Sequence, residues 1–139
     1  MNVSAATAAL AGFGLALSLS ACSSTPDTAE ANATWCEGAT KVDTEVETLS
    51  GLIQGGASAD EVSAQWNAVQ AAIEANSVPL SQLSTSVQED VATAYDGFTA
   101  AVEAIPADAS PSESAPQYEA AIEGFNADVS GVKSEVGCS

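Results

Sequence analysis

The chain of 139 residues has no histidine, no arginine, and a single methionine, Met1. Each absence removes a class of chemistry. Haem ligation and the usual zinc and copper sites draw on His, Met and free thiolate donors, and the chain has almost none to offer. A di-iron helical bundle needs inward Glu-x-x-His pairs, which cannot be written without histidine. Ser-His-Asp and Cys-His catalysis are excluded on the same ground. A Ser-Lys pair could use only Lys41 or Lys133, and both are expected to be solvated helix residues. With no Arg, and no Gly-rich phosphate loop following a strand, nucleotide binding has no support. No cofactor is expected.

Positive charge is the other scarcity. Nineteen acidic residues face two lysines, for a net charge of −17. Such a field repels DNA, RNA, anionic lipid headgroups and phosphorylated polymers, and attracts cations and basic proteins. Most of the acid is expected to be a solvated, solubilising face; a surface for a cationic partner is the second reading. Three acidic clusters stand out: Asp43, Glu45 and Glu47; Asp60 and Glu61; Glu89 and Asp90. None matches the twelve-residue calcium loop. Two carboxylates could serve a cell-wall hydrolase as acid and base, but they would have to face each other across a cleft.

Val3 to Leu19 contain only Ala, Leu, Gly, Val, Phe, Ser and Thr. This uncharged stretch has the length of a secretory signal core and lacks the flanks of a stop-transfer helix. It closes on Leu19-Ser20-Ala21-Cys22, after which the sequence turns polar. That tetrapeptide resembles the bacterial lipobox. The resemblance implies that residues 1–21 are a lipoprotein signal peptide and that the Cys22 thiol is acylated after cleavage. Met1 to Leu10 depart from the pattern, carrying no Lys or Arg where a signal is usually positive; an upstream start would supply the charge. The alternatives are an ordinary secretory signal cut near Ala21 and an uncleaved anchor. Two or more acyl chains give stable anchoring, so a lipidated Cys22 places the protein at the cell membrane on its extracytoplasmic face. The Ala-rich, acidic, Arg-free composition also resembles small exported lipoproteins of high-GC Gram-positive bacteria. With Cys22 carrying lipid, Cys36 and Cys138 remain, and two thiols in an exported domain are expected to pair.

Ser23 to Ala33 are small and polar without apolar period, so residues 22–33 read as a flexible tether and residues 34–139 as the folded domain. Thr34-x-x-Glu37 looks like a capping box. Trp35, Ala39, Val42, Val46, Leu49 and Ile53 then alternate in steps of four and three, one face of a helix that Gly55-Gly56 stops. Ser58-x-x-Glu61 opens a second helix with Val62, Trp66, Val69 and Ile73 inside, ended by Asn76-Ser77-Val78-Pro79. A third segment runs from Leu80 to Ile105 with a stutter in its spacing. Ser86-x-x-Glu89 is an internal start, leaving Leu80 to Thr85 as a separate turn. Pro106 stops it. Ser114-x-x-Gln117 opens the last helix, with Pro116 in its first turn, and Tyr118, Ile122, Phe125, Val129, Val132 and Val136 form its face up to Gly137.

The fold class expected is all-α: an antiparallel up-down-up-down four-helix bundle closed by one disulfide. Even parity puts the start of the first helix beside the end of the fourth, so Cys36 and Cys138 meet at one end. The aromatics fall on the inner stripes. Trp35, beside Cys36, and Trp66 are the candidate ligand or partner contacts. The leading functional expectation is a non-enzymatic, monomeric lipoprotein of the cell envelope. It would act as a binding or accessory module, its partner a cationic or envelope protein. The alternative is a carrier holding a small apolar or cationic ligand between helices. A filled core would count against the carrier; a binding module should expose an apolar patch.

Overall fold

A computed structural model describes residues 28–106 and 108–139. Among these residues there are four α-helices and no strand: α1 (Thr28–Gln54), α2 (Ala59–Leu80), α3 (Thr85–Glu103) and α4 (Pro111–Val136). α1 packs most closely on α2, α3 on α4, and α1 on α4, while α2 meets α3 only sparsely. Cross-helix pairs fix the directions. Gln65 near the start of α2 reaches Glu45 in the second half of α1, and Lys133 near the end of α4 pairs with Asp43 of α1. Trp66 of early α2 meets Phe98 of late α3. Each neighbour therefore runs antiparallel to the last, which is the up-down-up-down order.

The core follows the apolar stripes the spacing predicts, extended by Ala31 and Ala94. On α1 it comprises Ala31, Trp35, Ala39, Val42, Val46, Leu49 and Ile53, and α3 contributes Val87, Val91, Ala94, Tyr95, Phe98 and Val102. Most of these side chains are β-branched or small. Such helices have modest intrinsic propensity and depend on packing. Phe98 and Phe125 stack with ring centroids 4.5 Å apart, and Tyr95 lies 5.8 Å from Phe125. This aromatic group, with Trp66 edge-on to Phe98 at 5.3 Å, spans the seam where the α2 and α3 backbones stay apart.

Three helix starts and one helix end differ from the sequence expectation. α1 begins at Thr28, so residues 28–33 are helix and not tether. Ala31 is buried there, and Asn32 Nδ2 donates to the Val136 carbonyl at 3.1 Å. One alanine facing the core carries too little hydropathy to announce a helix. Thr34 consequently caps nothing; its Oγ1 donates to Glu30 O within the helix. Residues 22–27, including Cys22, lie outside the described residues, as does the whole leader. α2 continues through Pro79 to Leu80, because a proline in the last turn removes a single hydrogen bond and the Ser81 N–H still reaches Ser77 O. α3 starts after Ser84, whose Oγ faces the Val87 N–H at 3.5 Å, so Ser86 lies inside the helix. α4 starts after Ser110, four residues before the expected Ser114. The Glu113 carboxylate accepts from both the N–H and the hydroxyl of Ser110. Pro116 is thus interior and offers no N–H to the Ser112 carbonyl.

The expected stops at both ends of the chain's long excursion do form. Gly56 turns with φ 72°, and Ala57 N–H returns to Leu52 O. Gly137 turns with φ 84°, the left-handed region glycine enters without penalty. That turn brings Cys138 back to α1, where it is bonded to Cys36 with Cα atoms 5.5 Å apart.

Candidate functional site

The end of the bundle opposite the disulfide is built by two connections. Gly55-Gly56 and the Ser58 cap start α2 close over the end of α1, while Pro106 and the Ser110 cap separate α3 from α4. Between them the four helices do not close. A cleft of about 340 Å³ remains, walled by Ile53 of α1, Val62 and Trp66 of α2, Val102 and Ile105 at the end of α3, and Tyr118 of α4. Its size falls at the lower edge of small-molecule sites.

Both aromatic walls are half-buried, with part of each ring open to the cleft. Partial burial raises the Tyr118 hydroxyl above its ordinary pKa, so it stays a neutral donor and acceptor. Ser63 and Ser114 add hydroxyls to the lining; Ser114 is buried and its Oγ donates to Ser110 O. Glu103 is the one charged residue of the wall. The surface is thus apolar and aromatic, with a few polar groups and one carboxylate. It can hold and orient a small molecule, but it supplies no pair of facing carboxylates.

A second, wider trough of about 610 Å³ runs along the disulfide end between the start of α1 and the end of α4. Asn32, Glu37, Thr40 and Lys133 line it beside both half-buried cysteines. It has no aromatic wall, and Glu37 and Lys133 put charges of both signs on its lining.

The acidic clusters disperse in the fold. Asp43 pairs with Lys133, Glu45 accepts from Gln65 Nε2 at 2.6 Å, and Glu61 accepts from the Ser58 N–H at 2.9 Å. Among the described residues no three acids or thiols converge on a point suited to a metal.

Of the two tryptophans singled out in the sequence, the cleft uses one. Trp66 is a wall. Trp35 is 0% exposed and touches no solvent, which corrects the expectation that it could meet a ligand or partner. Its burial follows from α2, which covers it with Asn76. In the amide orientation that pairs every group, Asn76 Oδ1 accepts from Trp35 Nε1 at 3.3 Å, Tyr95 Oη at 3.2 Å and Ala39 N at 3.2 Å. Sequence reasoning read Asn76 as a helix stop. The signal was present: Val62, Trp66, Val69, Ile73 and Asn76 continue the same four-three spacing, which puts Asn76 on the core stripe. Glu103 and Ser114 gave no such signal, because their role depends on how two loops fold.

No known protein family, curated protein or solved structure matches the chain.

Proposed function

We propose that the protein is a non-enzymatic lipoprotein of the cell envelope, anchored through acylated Cys22, whose bundle carries a small ligand in the cleft between Trp66 and Tyr118. The observation that carries the reading is the cleft: an open space with two half-buried aromatic walls, at the end of the bundle opposite the disulfide. Val78, 68% exposed, is the single large hydrophobic side chain standing in solvent among the described residues. A protein-docking module would want a contiguous apolar face, so the carrier reading gains over the docking one. The single carboxylate of the wall leaves a hydrolase without its second acid.

Geometry relates the cleft to the anchor. α1 begins six residues after Cys22, and the chain can extend about 3.5 Å per residue, so the disulfide end lies within ~20 Å of the acylated position. From Thr28 to Ile53 the helix climbs about 38 Å at 1.5 Å per residue. The cleft then opens away from the membrane, toward ligands arriving from outside. The cysteine pair fits an oxidising, extracytoplasmic compartment, and no helix of the described residues is long and apolar enough to cross a membrane.

Two measurements test this. Metabolic labelling with a palmitate analogue should mark the wild-type protein and leave Cys22→Ala unmarked. Ser63→Trp, at an exposed helical position on the cleft wall, should fill the space and abolish binding of small aromatic probes with the circular dichroism spectrum unchanged. Binding that persists in Ser63→Trp overturns the cleft as the site.

A further inference from the structure

We infer that the cleft selects an amphiphilic cation, a small alkyl or aralkyl amine or quaternary ammonium, whose apolar body lies against Trp66 and Tyr118 and whose charge is met by Glu103. The inference rests on the cleft being a ligand site, and adds the class of ligand.

Size comes first. The cleft's roughly 340 Å³ lies at the lower edge of the range for small-molecule sites, which suits a compact ligand.

Charge decides the rest. Glu103 is exposed and is the only ionised group in the wall. Asp60, Glu61 and Asp108 each adjoin a wall residue in sequence, and all three are exposed. Both cations of the chain sit elsewhere. Lys41 is twelve residues before Ile53 on α1, about 18 Å along the axis, and Lys133 is fifteen residues past Tyr118 on α4, about 22 Å. Either distance exceeds the Debye length of ~8 Å at physiological salt, and Lys133 is already paired with Asp43. The positive N-terminal ends of α2 and α4 also open at this end of the bundle, but Glu61 and Glu113 meet them as capping carboxylates. An anionic amphiphile would therefore find a carboxylate and no counter-charge.

Helix stability does not account for Glu103. It is the last residue of α3, where an acid opposes the negative end of the helix dipole, and the last turn of α3 holds no basic residue. A glutamate in the wall of an aromatic cleft, with no basic residue beside it, can meet a positive charge. The faces of Trp and Tyr attract cations in addition.

The test uses three water-soluble probes of nearly equal shape: 4-phenylbutylamine, 4-phenylbutanol and 4-phenylbutyrate. They are titrated against the intact lipoprotein in phosphatidylcholine nanodiscs, with protein-free nanodiscs as the blank, and binding is read by ligand-observed saturation-transfer NMR. The amine should bind about three- to ten-fold more tightly than the alcohol, as expected for one partly screened ion pair with an aromatic contribution, and the butyrate more weakly than either. Glu103→Gln should bring the amine to the affinity of the alcohol and leave the alcohol unchanged. Butyrate binding as tightly as the amine, or an amine preference that survives Glu103→Gln, overturns the selectivity while the alcohol's binding still supports the cleft. Failure of all three probes to bind overturns the cleft reading and this inference together.

Discussion

Asn76 of α2 lies so closely over Gly38 of α1 that a methyl group built at position 38 would overlap its amide, and would stand 3.3 Å from the Asn76 Cβ. Gly38 is therefore the residue that lets α2 approach α1 and lay a polar side chain onto Trp35. Inside a helix, Gly to Ala ordinarily gains about 1 kcal/mol. Here the gain is outweighed by overpacking, which costs typically ~1–3 kcal/mol. Gly38→Ala should lower the urea midpoint, whereas Gly97→Ala, Gly124→Ala and Gly131→Ala, where an added Cβ meets nothing within 4 Å, should each raise it. Equal effects at all four positions would show that the close approach has no energetic consequence.

The amide that rests on Gly38 also collects donors from two helices. Replacing it strands the Trp35 indole N–H and the Tyr95 hydroxyl in an apolar interior. An unsatisfied buried polar group costs about 1–3 kcal/mol, and the lost volume adds to that. Asn76→Ala should thus destabilise the fold by roughly 2–4 kcal/mol in chemical denaturation. Tyr95→Phe, which removes one donor and leaves the others paired, should cost less. The same hydroxyl sets an alkaline limit. Burial raises the Tyr95 pKa, with Asp43 adding a smaller upward push. A group whose folded pKa is raised gives stability that is complete below its unfolded value and lost as pH climbs through the folded one. Thermal stability should decline above the ordinary tyrosine value of 10.0, and Tyr95→Phe should flatten that decline. An unchanged alkaline slope in the variant would count against this assignment.

The helix count, the antiparallel order and the disulfide follow from features written at high contrast: unbroken four-three spacing, glycine stops at Gly56 and Gly137, and two cysteines at opposite ends of the folded segment. The misjudged boundaries share a cause. At Ser86 and Ser114, a correct capping pattern competes with a second one nearby, at Ser84 and Ser110, and the local sequence alone does not choose. At Thr28–Ala33 the contacts that hold the helix to the bundle include the buried Ala31 and the hydrogen bond from Asn32 to Val136, both of them tertiary. Half of the candidate site was legible for the same reason. Trp66 could be named from its stripe, but its openness depends on α2 and α3 standing apart. Trp35 lies on an equally clear stripe and is sealed by a residue forty-one positions away, Asn76, which no short-range pattern connects to it.

The two clear capping carboxylates make the acid limb of stability testable. Hydrogen bonds from the Ser58 side chain and backbone lower the Glu61 pKa below its ordinary 4.5, and Ser110 does the same for Glu113. A depressed folded pKa gives stability that is present above the unfolded value and lost as pH falls through the folded one. The melting temperature of the wild type should drop on acidification below 4.5. Glu61→Gln combined with Glu113→Gln should begin lower at neutral pH and fall less steeply, because glutamine keeps an acceptor and loses the charge. Both carboxylates are fully exposed, so the difference should shrink in high salt. Parallel pH profiles for wild type and double variant would remove the caps as its cause.

The disulfide joins residues 102 positions apart, and a loop of that order restricts the unfolded chain by as much as ~4.7 kcal/mol in the chain-entropy account. The same bond also clamps the pair of helix ends that hold Asn32 against Val136. Losing it should therefore act unevenly. Cys36→Ser with Cys138→Ser should lower global stability by about 3–5 kcal/mol, with amide exchange rising first in α1 before Ala39 and in α4 after Val132. The cleft lies at the opposite end, bounded by the Gly56 turn and the Pro106 connection, and shares no wall residue with the clamp. In the double variant, probe affinity at temperatures well below unfolding should match the wild type within about two-fold, since sites without shared partners couple by only a few tenths of a kcal/mol. A large loss of affinity in a variant that still gives the wild-type helical spectrum would mean that the two ends of the bundle are coupled through the core, and that the aromatic stack of Phe98 and Phe125 between them transmits the strain.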